Sequence, residues 1–140
     1  MTSVFAASRV LAVGAVLLAS GCSLLGSRPP LLETLWVAED IGGARIVDRT
    51  RSTMRLHAGG TVSGDSGCNQ YRGLAKIDGK SLLFDELVST RKACSADVMD
   101  HELRFLRALS ATRTIAERDG TLQLSDKSRQ PLVRFVPADG

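Results

Sequence analysis

Few residues in this chain carry reactive chemistry, and two of its three cysteines fall in two short stretches. Thiols occur at Cys22, Cys68 and Cys94, and imidazoles at His57 and His101. Cys68 lies inside Gly60-Thr61-Val62-Ser63-Gly64-Asp65-Ser66-Gly67-Cys68-Asn69-Gln70-Tyr71-Arg72-Gly73, and Cys94 ends Thr90-Arg91-Lys92-Ala93-Cys94. A serine held in a glycine corner is a candidate nucleophile, given a base within reach. His101-Glu102 on a helix could ligate a metal, given a second histidine one turn on. Two cysteines could close a covalent loop, given an oxidising compartment.

Two of these possibilities fail on context. Gly64-Asp65-Ser66-Gly67 is similar to the nucleophile signature of trypsin-like serine proteases, but that fold needs two barrels and a much longer chain. His57 precedes Ser66 by a single hairpin, and Cys68-Asn69 follows where Gly-Pro is expected. A triad is defined by geometry and roles, and no partner set is visible. The second histidine of a helical zinc motif would fall at position 105, which is Phe105. Both histidines therefore read as solvated surface residues, and no metal, cofactor or catalytic residue is expected.

The N-terminus explains the third possibility. Arg9 precedes an apolar run, Val10–Leu18, too short to span a bilayer as a helix. Small residues then lead to Cys22, the pattern of a secretory signal peptide. Leu18-Ala19-Ser20-Gly21-Cys22 resembles a bacterial lipobox, which implies cleavage before Cys22, acylation of its thiol and anchoring through acyl chains. Ser23 rather than Asp after Cys22 points, by the same resemblance, to the outer membrane of a two-membrane cell, facing the periplasm. Residues 1–21 are thus read as signal peptide and 22–33 as a lipidated tether, with Pro29-Pro30 disfavouring a strand there. With Cys22 acylated, Cys68 and Cys94 are left as an expected disulfide in an oxidising compartment. Two buried free thiols are the competing reading. The charge balance is 18 Lys+Arg against 15 Asp+Glu, and cleavage removes only Arg9. That balance and the 4% aromatic content give no basis for a nucleic-acid partner.

The elements that must position these residues can be read from their periods. Leu35–Ala38 and Ala44–Val47 are strands about Gly42-Gly43. Thr53–His57 alternates, with Met54 and Leu56 on one face. Thr61–Ser63 returns after Ala58-Gly59-Gly60, and Asn69–Ile77 and Ser81–Phe84 flank Asp78-Gly79, a strong hairpin signal. Leu87–Thr90 continues that strand line. The period then changes. Val98, Phe105, Leu106 and Leu109, with Met99 and Leu103 beside them, share a broad helical face over Asp97–Ser110, with Ser95 or Asp97 as cap. Strands resume at Thr112–Glu117, around Leu122 and Leu124 after Asp119-Gly120, and at Leu132–Val136. The fold expected is α+β: a curved antiparallel sheet or partial barrel of about eight short strands, with one helix covering its open face.

The pattern Gly60-x-Val62-Ser63-Gly64-x-x-Gly67-Cys68-Asn69-x-Tyr71-x-Gly73 is followed by Gly79 and by Leu87-Val88-Ser89-Thr90-Arg91-Lys92-Ala93-Cys94. Glu102-x-x-Phe105-Leu106-x-Ala108-Leu109 and Gly120-x-Leu122-x-Leu124 come next, with Leu35-Trp36 and Ile41-Gly42-Gly43 in front. Together they resemble the META domain family, which includes the heat-shock lipoprotein HslJ. The likeness spans about Thr34–Phe135, and the domain is expected over residues 34–137. Lys92 stands where members commonly carry Met, and Ser95 where they carry Pro. The resemblance implies a small α+β domain in the bacterial envelope, linked to heat shock and antibiotic tolerance, and brings no catalytic residue.

Asn69, Tyr71, Thr90 and Arg91 remain as a candidate surface. Turn chemistry explains each type: Asn69 in a positive-φ corner, Tyr71 packed, and Thr90-Arg91 tying the second loop to the first. The functional alternative is that the disulfide joins both loops into one polar binding face for an envelope protein or a small ligand, with Arg91 exposed. A carrier for a hydrophobic ligand, held in the concave face of the sheet, is the other reading.

Overall fold

The alternating stretches form strands in the computed structural model, which describes residues 29–46 and 50–138. Cys22, the signal-peptide segment and the Val47 end of the second expected strand lie outside the described residues. Nine strands are described: β1 (Trp36–Ile41), β2 (Ala44–Arg45), β3 (Thr53–His57), β4 (Thr61–Asp65), β5 (Gln70–Asp78), β6 (Ser81–Ser89), β7 (Thr114–Arg118), β8 (Thr121–Ser125) and β9 (Pro131–Pro137). One helix, α1 (Ala96–Ala111), enters between β6 and β7. All pairings are antiparallel. β2 is a short arm on β1, and the other eight strands run β1-β3-β4-β5-β6-β7-β8-β9, with β9 pairing back to β1. The fold is α+β with antiparallel strands and one helix, as the periods predicted, and the sheet closes into a ring where a curved sheet or partial barrel was expected.

Two of the three described register shifts steer side chains into this ring. The register of β1 against β9 shifts between Ala38 and Asp40, so the inward positions run Trp36, Ala38, then Ile41. The β5–β6 register shifts between Arg72 and Leu74, opposite Glu86 at φ 51. Gly73 sits at that shift because a Cβ there would lie 2.8 Å from both the Asp85 carbonyl oxygen and Leu87 Cδ2. Beyond it the strand presents Leu87 to the core and leaves Val88 55% exposed on the outer face.

The thinnest seam of the ring is β6–β7, which has one register pair, Ser81 with Thr114. The Leu82 N–H to Arg113 carbonyl and Ile115 N–H to Lys80 carbonyl bonds flank it. Helix α1 packs against β1, β6 and β9. Its Phe105 meets Tyr71 and Phe135 edge-on, at centroid distances of 5.7 Å and 6.2 Å. Trp36, Met54, Leu56, Leu82, Leu122 and Phe135 fill the interior with essentially no exposure. The concave face of the sheet is thus occupied by the protein's own core.

The helix is rotated from the face that its apolar spacing predicts. His101, Glu102, Phe105, Ala108 and Leu109 are the buried positions, while Met99 and Leu103 are exposed. His101, expected on the surface, is 1% exposed. Two polar partners waiting beneath the helix, described below, outweigh the apolar stripe. Ser95 is the N-cap residue, without a side-chain capping bond.

Gly64 provides the sharpest test of this packing. A Cβ at this position would stand 2.1 Å from the Thr53 carbonyl oxygen and 2.9 Å from the Tyr71 ring. Gly64→Ala is expected to lower unfolding free energy by about 3 kcal/mol in urea titration. Gly59→Ala, with nothing within 4 Å, is expected to stay within about 1 kcal/mol of the parent.

Candidate functional site

The glycine corner is built as one tight turn, from Ser66 to Asn69. The Ser66 N–H donates to the Asn69 carbonyl at 2.7 Å, and Gly67 takes φ 115. The positive-φ position is therefore Gly67, whereas the sequence suggested Asn69. A side chain at Gly67 would stand 2.9 Å from His101 Cδ2, so the corner and the helix must touch here without one. Ser52 pairs with Ser66 through an isolated bridge, which brings the segment before β3 to the same place.

Glu102 organises the polar groups that converge. Its Oε2 accepts from Ser66 Oγ at 2.7 Å and from the Asn69 N–H at 2.8 Å, and its Oε1 accepts from Asn69 Nδ2 at 2.9 Å. Burial works to raise the pKa of this carboxyl. Hydrogen bonds from Ser66, from both Asn69 donors and from the Cys68 N–H overcome that and hold it below the ordinary carboxylate range. The other end of Asn69 faces the second loop: Oδ1 accepts from Thr90 Oγ1 at 2.8 Å and the Lys92 N–H at 2.7 Å. The Cys68–Cys94 disulfide joins the same two segments, with Cα atoms 6.1 Å apart. Beside this, Ser52 Oγ and His101 Nε2 lie 2.8 Å apart. Burial holds His101 below the ordinary imidazole range, helped by the charge of Arg104 and opposed by Asp100 and Glu102.

Ser52, Ser66, His101 and Glu102 thus meet as polar partners, all buried and turned toward one another. General acid–base or nucleophilic work requires reach to a substrate atom, and these groups face inward. Their chemistry is that of a clamp: a desolvated carboxylate, saturated with donors, pins a loop to a helix. Among the described residues no set of three or more His, Cys, Asp or Glu is placed to hold a metal ion.

Outside the clamp the sheet opens. Between the Arg55–Ser63 pair and the Ser52–Ser66 bridge the β3–β4 ladder gives way. There Thr53 turns its groups sideways: its carbonyl accepts from the Tyr71 hydroxyl at 2.9 Å, and its Oγ1 accepts from the Asp65 N–H at 2.9 Å. A groove of about 660 Å³ lies over this gap, floored by Gly64 and Tyr71 and walled by Ser63, Asp65, Gln70, Arg72 and Thr90. Burial, and then the nearby charge of Asp65, push the Tyr71 hydroxyl pKa up. A second groove of about 510 Å³, reaching His57, Leu74 and Glu86, shares Ser63, Arg72 and Val88 with the first.

The four residues of the expected surface separate. Asn69, 1% exposed, and Tyr71, 3% exposed, are buried, whereas Thr90 and Arg91 are exposed. Tyr71 and Thr90 line the first groove; Asn69 belongs to the clamp, and Arg91 lines neither groove. The sequence reading missed Arg72 and Glu102. The parity of β5, with Tyr71, Gly73 and Ala75 inward, was the available signal for Arg72 pointing outward. For Glu102 it was the shared face with Phe105 and Leu109.

With this geometry in view, a family model describing the META domain matches residues 29–139. The chain belongs to the META domain family. Among solved structures, the fold of this META domain is similar to an NMR structure of a protein from Burkholderia xenovorans. That likeness has a TM-score of 0.60 at 26% identity, covering 79% of this chain and 85% of the other. A second NMR structure also matches at a TM-score of 0.60, with 19% identity over 76% of this chain and 90% of the other. No curated protein matches the chain.

The clamp makes stability fall in acid through two groups. Folded His101 resists protonation, so stability drops once the pH falls below 6.5, where the unfolded chain takes up that proton. The contribution of Glu102 is complete above 4.5 and is lost as the pH falls through its depressed folded value. Glu102→Gln is expected to cost about 2–3 kcal/mol at neutral pH and to flatten the acid limb below 4.5, read by urea unfolding across pH. Reducing the disulfide, whose cysteines are 26 residues apart, is expected to cost about 3–4 kcal/mol in the same titration.

Proposed function

We propose that this META domain is the periplasm-facing part of a lipid-anchored envelope protein. It acts without catalysis, in envelope integrity, stress response or antibiotic tolerance, through contact with a protein or a small ligand. The observation that carries this reading is the division of polar chemistry. The reactive-looking side chains Ser52, Ser66, His101 and Glu102 are consumed inside the clamp, while the outer face offers an open polar groove around Arg72. A covalently closed loop fits an oxidising compartment, and Leu18-Ala19-Ser20-Gly21-Cys22 supplies a thiol for acylation. The anchor is Cys22, and the domain begins after the Pro29-Pro30 tether. Because the concave face is filled by the core, ligand contact in this reading falls on the outer face rather than in a carrier cavity.

Acylation is tested by metabolic labelling with an alkyne palmitate in a two-membrane bacterial host, followed by membrane fractionation. The parent chain is expected to carry label and to sediment with outer membrane until detergent is added, and Cys22→Ser to carry none. An unlabelled, freely soluble parent chain would remove the anchor from the reading.

A further inference from the structure

We infer that the outer face of β4, β5 and β6 around Arg72 is a binding site for an extended peptide segment that carries a carboxylate next to an apolar side chain. The Arg72 side chain is exposed and has no ion-pair or hydrogen-bond partner among the described residues. The other outward cations near it are engaged or differently placed. Arg55 gives Nη1 to the Glu33 carbonyl at 2.6 Å, and Lys76 lies 3.6 Å from Asp85. Asp65, the acid of the first groove, spends Oδ1 on the Gly67 N–H at 3.2 Å. An unpaired guanidinium between two grooves presents a planar fork of donors, the geometry that matches a carboxylate.

The neighbours of Arg72 set the rest of the ligand. Cross-strand pairing puts Ser63 on one side of it and Val88 on the other. Val88, 55% exposed, offers an apolar contact directly beside the charge. Gln70 at one end supplies an amide group suited to a peptide backbone, whereas the Thr90 hydroxyl beside it already donates to Asn69 Oδ1. The two grooves meet at Ser63, Arg72 and Val88 and together run along β5 from Gln70 to Leu74. That is roughly 13 Å of strand, the length of about four extended residues. Their volumes, about 660 Å³ and about 510 Å³, leave room for a segment of that length in two open grooves. Every described aromatic side chain is buried, so no stacking platform for a base is present on this face.

The inference deepens the contact role proposed above, and its test stands apart from the anchor. The full chain in detergent micelles is titrated against a fluorescein-labelled Glu-Val-Glu-Val peptide and its Gln-Val-Gln-Val counterpart, read by anisotropy. The acidic peptide is expected to bind at least tenfold tighter than the amide peptide and to weaken as salt rises. Arg72→Gln is expected to lose at least tenfold in affinity with an unchanged urea midpoint, while Arg118→Gln, on β7, binds like the parent. Equal binding of both peptides, equal binding by Arg72→Gln, or no binding of the acidic peptide would each overturn the site. So would Arg72-dependent binding of tetragalacturonate in place of the peptide, which would assign the groove to an anionic saccharide. Loss of the peptide leaves the palmitate result standing, and loss of the label leaves the peptide result standing.

Discussion

The structure depends on a buried carboxylate that must be satisfied. Glu102 cannot leave water for the space under α1 unless donors replace its hydration, because an unpaired buried charge costs several kcal/mol. Ser66 and Asn69 supply those donors from a single turn, and Asn69 passes the constraint on to the Thr90–Lys92 loop. One side chain thereby fixes the rotation of the helix, the shape of the glycine corner and the course of the chain into the helix. Gly67 follows from the same demand, since His101 occupies the volume that a side chain there would need.

This constraint also explains where the ring can be open. The β6–β7 seam is held by few bonds, and the segment that crosses it is the one the disulfide and Asn69 tie down. With the helix locked over the interior, Tyr71 and Phe135 close on Phe105 and the core is complete. Where the β3–β4 ladder gives way, Thr53, Gly64 and the Tyr71 hydroxyl line a groove that opens to the surface. Scaffold and surface are thus divided: the glycines and the disulfide shape the sheet, and Arg72 and Val88 stand exposed on its outer face.

Much of this was legible in the sequence, for reasons particular residues show. Met54 and Leu56, or Leu122 and Leu124, alternate with polar neighbours and can only be half-buried strands. Asp78-Gly79 and Asp119-Gly120 mark their hairpins outright. The pairing of Cys68 with Cys94 was expected on the reading that sets Cys22 aside as acylated and puts the chain in an oxidising compartment. The helix face was misjudged because periodicity counts hydrophobicity, and the buried face here includes His101 and Glu102. Their burial is favourable only with Ser52, Ser66 and Asn69 opposite, which is tertiary information. Asn69 was assigned the left-handed corner for a similar reason. The residue type suits that conformation, but its side chain was needed elsewhere, and glycine took the corner two positions earlier.

The most direct test of the clamp is native-state hydrogen exchange of the Asn69 amide in the oxidised protein. Its N–H donates to Glu102 at 2.8 Å inside the corner, outside any regular ladder. If that bond is the fastening point of the fold, the amide opens only with global unfolding, and its exchange free energy equals that of the slowest core amides, such as Leu56 and Leu122. Exchange of the Asn69 amide on the timescale of the exposed Ala58–Gly60 turn would contradict it.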